Sequence, residues 1–141
     1  MEMRWVFLPL FVEVALTLVL GIWMGLRRNR DIRSRAVAVD SIALGERKWT
    51  TRTTQVMNCY TNQFELPVLF YALTILAWIT HHADLIFVVM AWIFVISRLV
   101  HAIIHTTSNV VAQRGLVFAV GAVVLTAMWV IFAVRILLAV G

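Results

Sequence analysis

Residues 58–79 read NCYTNQFELPVLFYALTILAWI and determine how the chain can cross a membrane. Their uninterrupted apolar part, Leu66–Ile79, has 14 residues, which is about six fewer than a membrane-spanning helix needs. A polar turn prevents an extension forwards, so this span must extend backwards through Asn58, Asn62 and Glu65. In a helix those three side chains share one face. Because hydrocarbon cannot solvate two amides and a carboxylate, we expect that face to point into a helix bundle or a wet crevice.

One apolar run precedes this span and two follow it. Hydrophobic residues make up 62% of the chain and charged residues 13%, whereas soluble domains have roughly 45–50% and about 25%. The composition therefore excludes a soluble domain and predicts an all-α fold, an integral membrane four-helix bundle. We expect a single transmembrane domain over residues 1–141, with helices that span approximately residues 5–26, 58–79, 85–105 and 116–140.

The positive charge is concentrated in one segment of the chain. The formal net charge is +5, from 12 Lys and Arg against 7 Asp and Glu. Cations next to membrane spans face the cytoplasm and anionic lipid headgroups. We therefore expect a cytoplasmic basic loop over residues 27–58, both termini on the outer side, a lipid bilayer as partner and no nucleic acid. The cations between the first two spans are Arg27, Arg28, Arg30, Arg33, Arg35, Arg47, Lys48 and Arg52.

The third span also carries a polar face near its C-terminal end. Arg98, His101 and His105 have the helical spacing i, i+3, i+7. At 1.5 Å per residue, Arg98 lies about 20 Å from the outer end of its helix, and Glu65 lies about 21 Å from the outer end of the preceding one. A short turn joins these two helices, so they are antiparallel neighbours. Pairing an acid with a base costs far less than leaving either alone in hydrocarbon, which predicts a Glu65–Arg98 ion pair.

Several helices thus bring polar groups to one level near the cytoplasmic surface. Arginines bind carboxylates bidentately and a carboxylate can hold an amine, so this set of groups suits a small polyanionic ligand. A guanidinium would also favour the thiolate form of a bound thiol. The alternative is a structural ion pair that ties two helices together. The candidate residues are Arg27, Arg28, Asn62, Glu65, Arg98, His101, His105 and Arg114.

Two strings of residues at this level resemble a known family. The strings NQFELPVLFY at 62–71 and SRLVH at 97–101, followed by Arg114, resemble helix signatures of the MAPEG family, the membrane-associated proteins in eicosanoid and glutathione metabolism. The resemblance covers nearly the whole chain. It implies a homotrimer of four-helix bundles that binds glutathione between protomers near the cytoplasmic side. It also implies an activity on lipophilic electrophiles or hydroperoxides.

The resemblance assigns roles to individual residues. Arg114 matches the arginine that stabilises the glutathione thiolate, so it is the implied catalytic residue. The implied reaction is attack of that thiolate on a lipophilic small molecule that enters from the membrane. The residues implied to bind glutathione, the cosubstrate, are Arg28, Asn62, Glu65, Arg98, His101 and His105.

Three positions differ from the eicosanoid-type members of that family. Thr61 stands where those members have arginine, His105 where they have tyrosine, and Gly115 where they have serine. The chain therefore looks like a bacterial-type member, which would lie in a bacterial inner membrane. We expect a glutathione transferase-like enzyme, either a transferase or a peroxidase. The alternatives are a non-catalytic subunit with a lipid-binding or structural role and, with less support, a small transporter.

Polar residues outside this level have simpler interpretations. Glu13, in the middle of the first span, needs a polar partner on another helix or protomer, and a ligand or proton role is the alternative. Arg135, near the end of the fourth span, is expected to extend to the outer interface, with a pair with Glu13 as the alternative. His81, His82 and Asp84 form a solvated turn in this interpretation, and we expect no metal site because no further ligand converges there.

Overall fold

The computed structural model describes residues 1–46 and 48–138. Arg47, one of the predicted loop cations, and residues 139–140 of the predicted fourth span lie outside the described residues. Within the described ranges the chain is helical and has no strand. The elements are α1 (Met3–Arg33), a 3-10 turn (Val39–Ile42), α2 (Thr51–Asn62), α3 (Leu66–Ile79), α4 (Leu85–Thr106) and α5 (Val111–Leu138).

Four helical segments are long and apolar enough to cross a bilayer, namely α1, α2 together with α3, α4 and α5. The prediction of an all-α membrane protein with four spans is therefore confirmed, and the protein is a multi-pass integral membrane protein. We call residues 27–58, the predicted basic loop, the basic segment. Two helices continue into it, since α1 runs to Arg33 and α2 begins at Thr51. The connection between them is therefore residues 34–50, shorter than the expected loop of residues 27–58.

The second span is broken between α2 and α3. Helix α2 ends at Asn62 and α3 begins at Leu66, and Glu65 between them has a non-helical backbone with φ −96° and ψ −105°. Pro67 in the first turn of α3 explains the break. Proline has no N–H to donate, and its ring collides with the carbonyl four residues earlier in a continuous helix. The prediction that Asn58, Asn62 and Glu65 share one helical face is therefore wrong at Glu65, which lies outside both helices.

Helix α4 is the central element and packs against α1, α2 and α5. Its buried face changes character halfway along the helix. From Phe87 to Val95 the buried side chains are apolar, and from Ser97 to Thr106 all but one of them are polar. The apolar half packs on residues such as Phe70 of α3. The polar half marks the level of the bundle at which a functional site can form.

A close contact joins α4 to α5 at this level. A side-chain carbon added to Gly121 would lie 2.7 Å from Oγ of Ser97, so glycine at this position leaves room for the Ser97 hydroxyl between the two helices. The Ser97 hydroxyl donates a hydrogen bond to the Phe94 carbonyl at 2.6 Å. This contact fixes the first half of α5 beside the polar half of α4.

Side chains from α2 hold the C-terminal end of α4. The Gln55 amide donates to the carbonyls of His105 at 2.7 Å and of Thr107 at 3.1 Å, and the Arg52 guanidinium donates to the Thr106 carbonyl. The last carbonyls of a helix have no partner within it, so these donors satisfy groups that would otherwise need water. They also fix the end of the helix that carries His105.

Asp84, in the turn between α3 and α4, caps the N-terminal end of α4. Asp84 accepts a hydrogen bond from the Phe87 N–H at 2.9 Å and pairs with Arg135 of α5 at 2.8 Å. Burial alone would raise the pKa of Asp84, but the hydrogen bonds from Arg135 and from the Phe87 N–H hold that pKa below its ordinary value. Arg135 therefore pairs with Asp84, and the alternative of a pair with Glu13 is wrong.

Candidate functional site

Arg98 is buried in the centre of the bundle, with 1% of its side chain exposed. Among the described residues, the carboxylate within ion-pair distance of it belongs to Glu13 of α1, whose Oε1 lies 3.9 Å from Nε of Arg98. The predicted ion pair between Glu65 and Arg98 is therefore wrong. The depth estimate places the two residues at one level but does not fix their rotation, and the break before α3 takes Glu65 away from the helix interior.

Asn62 links the two residues that were expected to pair. Its Oδ1 accepts a hydrogen bond from Nη2 of Arg98, and its own amide donates to Oε2 of Glu65 at 2.7 Å. The backbone carbonyl of Asn62 lies 3.4 Å from the same Nη2. Asn62 is therefore the bridge between a guanidinium in the core and a carboxylate at the surface, where Glu65 is exposed.

An open pocket of about 210 Å³ lies at this carboxylate. Helix α4, the first half of α5 and the break between α2 and α3 each contribute side chains to it. Arg98 is not in its lining and lies behind Asn62, near the ring of Phe118, at 5.8 Å from the ring centre. The lining residues are Asn62, Glu65, His101, His105, Arg114, Gly115 and Phe118.

The two histidines of the pocket are nearly buried and lie next to each other on α4. Their ring centres are 5.5 Å apart, with the ring planes close to perpendicular. Nδ1 of His101 lies 3.2 Å from the Arg114 carbonyl oxygen. A carbonyl can only accept, so Nδ1 is the donor, and in a neutral imidazole Nε2 is then an acceptor. Within the described part of the chain, Nε2 of His101 and Nδ1 of His105 have no hydrogen-bond partner.

A short turn before α5 fixes Arg114. Its Nη1 donates to Oδ1 of Asn109 at 2.6 Å. Asn109 has a left-handed backbone with φ 53°, a conformation that asparagine tolerates better than most residues. The Asn109 N–H bonds to the Ile104 carbonyl at 2.8 Å. The Arg114 guanidinium is therefore tied back to the end of α4, beside the two histidines.

Arg28 lies away from this pocket. Its guanidinium stacks over the ring of Trp49, 4.6 Å from the ring centre. Both residues belong to the basic segment, where Asp31 also accepts hydrogen bonds from the Thr50 hydroxyl at 2.8 Å and from its N–H at 3.3 Å. In a single chain Arg28 therefore helps to order the basic segment.

Sequence reasoning missed three contributions to the site. It left the partner of Glu13 open, although an acid inside an apolar run requires a cation and Arg98 is the cation deepest in the other spans. It also gave no role to Asn109, which holds Arg114, or to Phe118, which lines the pocket. The four-residue step from Arg114 to Phe118 along α5 was the available signal for Phe118, since such residues share a helix face.

The chain matches one family of known proteins. The model described as the MAPEG family matches residues 6–134, which is nearly the whole chain. No curated protein and no solved structure matches it.

Proposed function

The chain belongs to the MAPEG family, and on that premise we propose that it is a glutathione-dependent membrane enzyme, a transferase or peroxidase that acts on lipophilic substrates. One observation carries the proposal. The polar pocket gathers five of the seven residues implied to bind glutathione or to catalyse its reaction. Those five are Asn62, Glu65, His101, His105 and Arg114.

The chemistry of the pocket suits glutathione, which has one amine, two carboxylates and one thiol. The exposed carboxylate of Glu65 can hold the amine, and the Arg114 guanidinium can pair with the thiolate. Pairing with Arg114 would favour release of the thiol proton to water, and the thiolate sulfur would then form a bond to an electrophilic carbon while that carbon's leaving group departs with the electron pair of the broken bond.

Arg98 has a different role in this proposal from the direct contact that the resemblance implies. Its guanidinium is buried with Glu13 and donates a hydrogen bond to Asn62 of the pocket lining. We therefore propose that it supports the binding residues. The pocket is open at the surface of one chain, so a neighbouring protomer in a homotrimer could complete it. We also propose that this pocket faces the cytoplasm together with the basic segment.

A second candidate function is a non-catalytic membrane subunit with a structural or lipid-binding role. The pair of Glu13 and Arg98 favours it, because both side chains are buried inside one bundle and a pair of this kind can serve only to join helices. This candidate assigns no ligand to the pocket, so it predicts that glutathione does not bind.

Calorimetric titration of the detergent-purified protein with glutathione separates the two candidates. The enzyme proposal predicts binding heat at millimolar glutathione or below. It also predicts that Arg114→Ala weakens binding at least about tenfold, as expected for loss of a charge-assisted contact. Arg135→Ala is the matched control, because Arg135 in the last turn of α5 pairs with Asp84 at the turn between α3 and α4, so this variant should bind glutathione normally. Absence of heat in the wild-type protein would remove the enzyme proposal.

A further inference from the structure

We infer that Glu13 is a positioning residue for the pocket, because it fixes Arg98 in the core and through Arg98 orients Asn62 and Glu65. The path runs from α1 to the pocket through three contacts between four side chains, and we call Glu13, Arg98, Asn62 and Glu65 the relay. The effect on ligand binding rests on the proposed function, whereas the geometry of the relay does not.

The first step of the relay is electrostatic. Glu13 is fully buried, and Oε1 of its carboxylate lies 3.9 Å from Nε of Arg98. Neither carboxylate oxygen has a hydrogen-bond partner in residues 1–46 and 48–138, and the same holds for Nε and Nη1 of Arg98. An arginine keeps its charge in proteins, so Glu13 is the nearby countercharge. Removing that charge would leave the guanidinium buried and uncompensated, which drives it to move.

The second step depends on the direction of hydrogen bonds. A guanidinium only donates, so Asn62 must turn its oxygen towards Arg98 and its NH₂ group away from it. That NH₂ group then donates to Oε2 of Glu65 at 2.7 Å. If Arg98 moved away, the hydrogen bond to Glu65 alone would hold the Asn62 side chain. The amide would then keep its orientation towards the carboxylate but lose the contact that fixes its position relative to α4.

The third step concerns how weakly the chain itself constrains Glu65. This residue lies in the break between α2 and α3, and its side chain is exposed. Its carboxylate accepts a hydrogen bond from Asn62, and its backbone N–H lies 3.4 Å from the Asn62 carbonyl. Asn62 is therefore the main constraint on the group that would hold the ligand amine. A change at Glu13, on another helix, reaches the pocket by this route.

The experiment compares Glu13→Gln, which removes the charge and keeps the shape, with Glu13→Asp, which keeps the charge and shortens the side chain. The matched control is Thr74→Val, because Thr74 is a fully buried polar residue outside the relay. The first readout is the side-chain amide signal of Asn62 in nitrogen-15 spectra of the micelle-bound protein, assigned with Asn62→Asp. The second readout is the dissociation constant of glutathione.

We expect Glu13→Gln to shift or broaden the Asn62 signal and to weaken glutathione binding about tenfold, the typical cost of one charge-assisted hydrogen bond. Glu13→Asp should give a smaller change in the same direction, and Thr74→Val should change neither readout. If Glu13→Gln fails to fold, Glu13→Asp decides the matter. An unchanged Asn62 signal in the folded Glu13 variants would overturn the relay. If the wild-type protein binds no glutathione, the proposed function fails, and the Asn62 signal alone still decides the inference.

Discussion

Among the residues that the structure describes, two acid–arginine pairs join helices or helix ends, and their surroundings are opposite. The inner pair, Glu13 with Arg98, is buried, with 0% and 1% of the side chains exposed and a separation of 3.9 Å. The turn pair, Asp84 with Arg135, has 42% and 33% exposed and a separation of 2.8 Å. The buried pair is thus the longer one, and it leaves several polar atoms without hydrogen bonds among the described residues.

The difference shows what each pair can contribute. Both side chains of the turn pair contact solvent, so water can compensate for the loss of either charge. Asp84 also caps α4 by accepting a hydrogen bond from the Phe87 N–H. Water cannot compensate in the same way at the inner pair, because a single charge left there would be buried without a countercharge. One nitrogen of the pair, Nη2 of Arg98, donates a hydrogen bond to Asn62 of the pocket lining. In our proposal the inner pair therefore contributes both to stability and to the geometry of the pocket, whereas the turn pair contributes to stability.

The largest expected effect on stability comes from replacing one partner of the inner pair, Arg98, while Glu13 remains. Arg98→Met should lower the free energy of unfolding by about 3–5 kcal/mol, because it leaves the Glu13 charge buried without compensation. The double variant Glu13→Leu/Arg98→Met should recover most of that loss, since an apolar replacement of both partners strands no charge. Thermal unfolding in detergent measures both. A double variant as unstable as Arg98→Met would show that the pair is not the source of the effect.

The next largest effect is expected at the close contact between Gly121 of α5 and Ser97 of α4, beside the inner pair. Gly121→Ala should be about 1–2 kcal/mol less stable than Gly25→Ala, because the added carbon would displace Oγ of Ser97 from its hydrogen bond to the Phe94 carbonyl. Gly25→Ala is the matched control, since a carbon added there has no neighbour within 4 Å and alanine favours helices. We expect Gly25→Ala to be neutral or stabilising in the same unfolding assay. Equal effects of the two substitutions would contradict the proposed closeness of α4 and α5.

A smaller effect on stability is expected at Asp84, where two substitutions distinguish its role as a helix cap from its role in the turn pair. Asp84→Ala removes both the helix cap and the turn pair and should cost about 1 kcal/mol. Asp84→Asn keeps a good capping residue and removes only the charge, so it should cost a few tenths of that, about 0.3 kcal/mol, as for other exposed pairs. Thermal unfolding of the two variants at neutral pH provides the comparison. If Asp84→Asn were as unstable as Arg98→Met, the contrast between the two pairs would fail.

The smallest effect is the pH dependence of the turn pair. Folding lowers the pKa of Asp84, so the unfolded chain binds more protons at this residue near its ordinary pKa of about 3.9. The contribution of Asp84 to stability is therefore present above that pH and is lost as the pH falls through the lower folded value. The stability difference between wild type and Asp84→Asn should shrink on acidification below pH 4 or so. A difference that grows there would have the wrong sign.

Much of the fold followed from the sequence because hydrocarbon permits few solutions. Apolar runs and the positions of polar residues along them predicted four spans and a shared polar level. The pairing within that level was not predictable, because distance along a helix gives depth and not rotation. Pro67 shows the same limit, since its effect on the helix was partly foreseeable but the resulting exposure of Glu65 was not. The contribution of α1 through Glu13 required coordinates.

We propose that the pocket lined by Asn62, Glu65, His101 and Arg114 binds glutathione and that Arg98, in the core, supports these binding residues. An experimental structure of the protein with bound glutathione tests this most directly. We predict that the ligand amine lies against Glu65 and the thiol against Arg114, while Arg98 stays between Glu13 and Asn62. Glutathione bound elsewhere, or held directly by Arg98 with Glu13 displaced, would contradict the account.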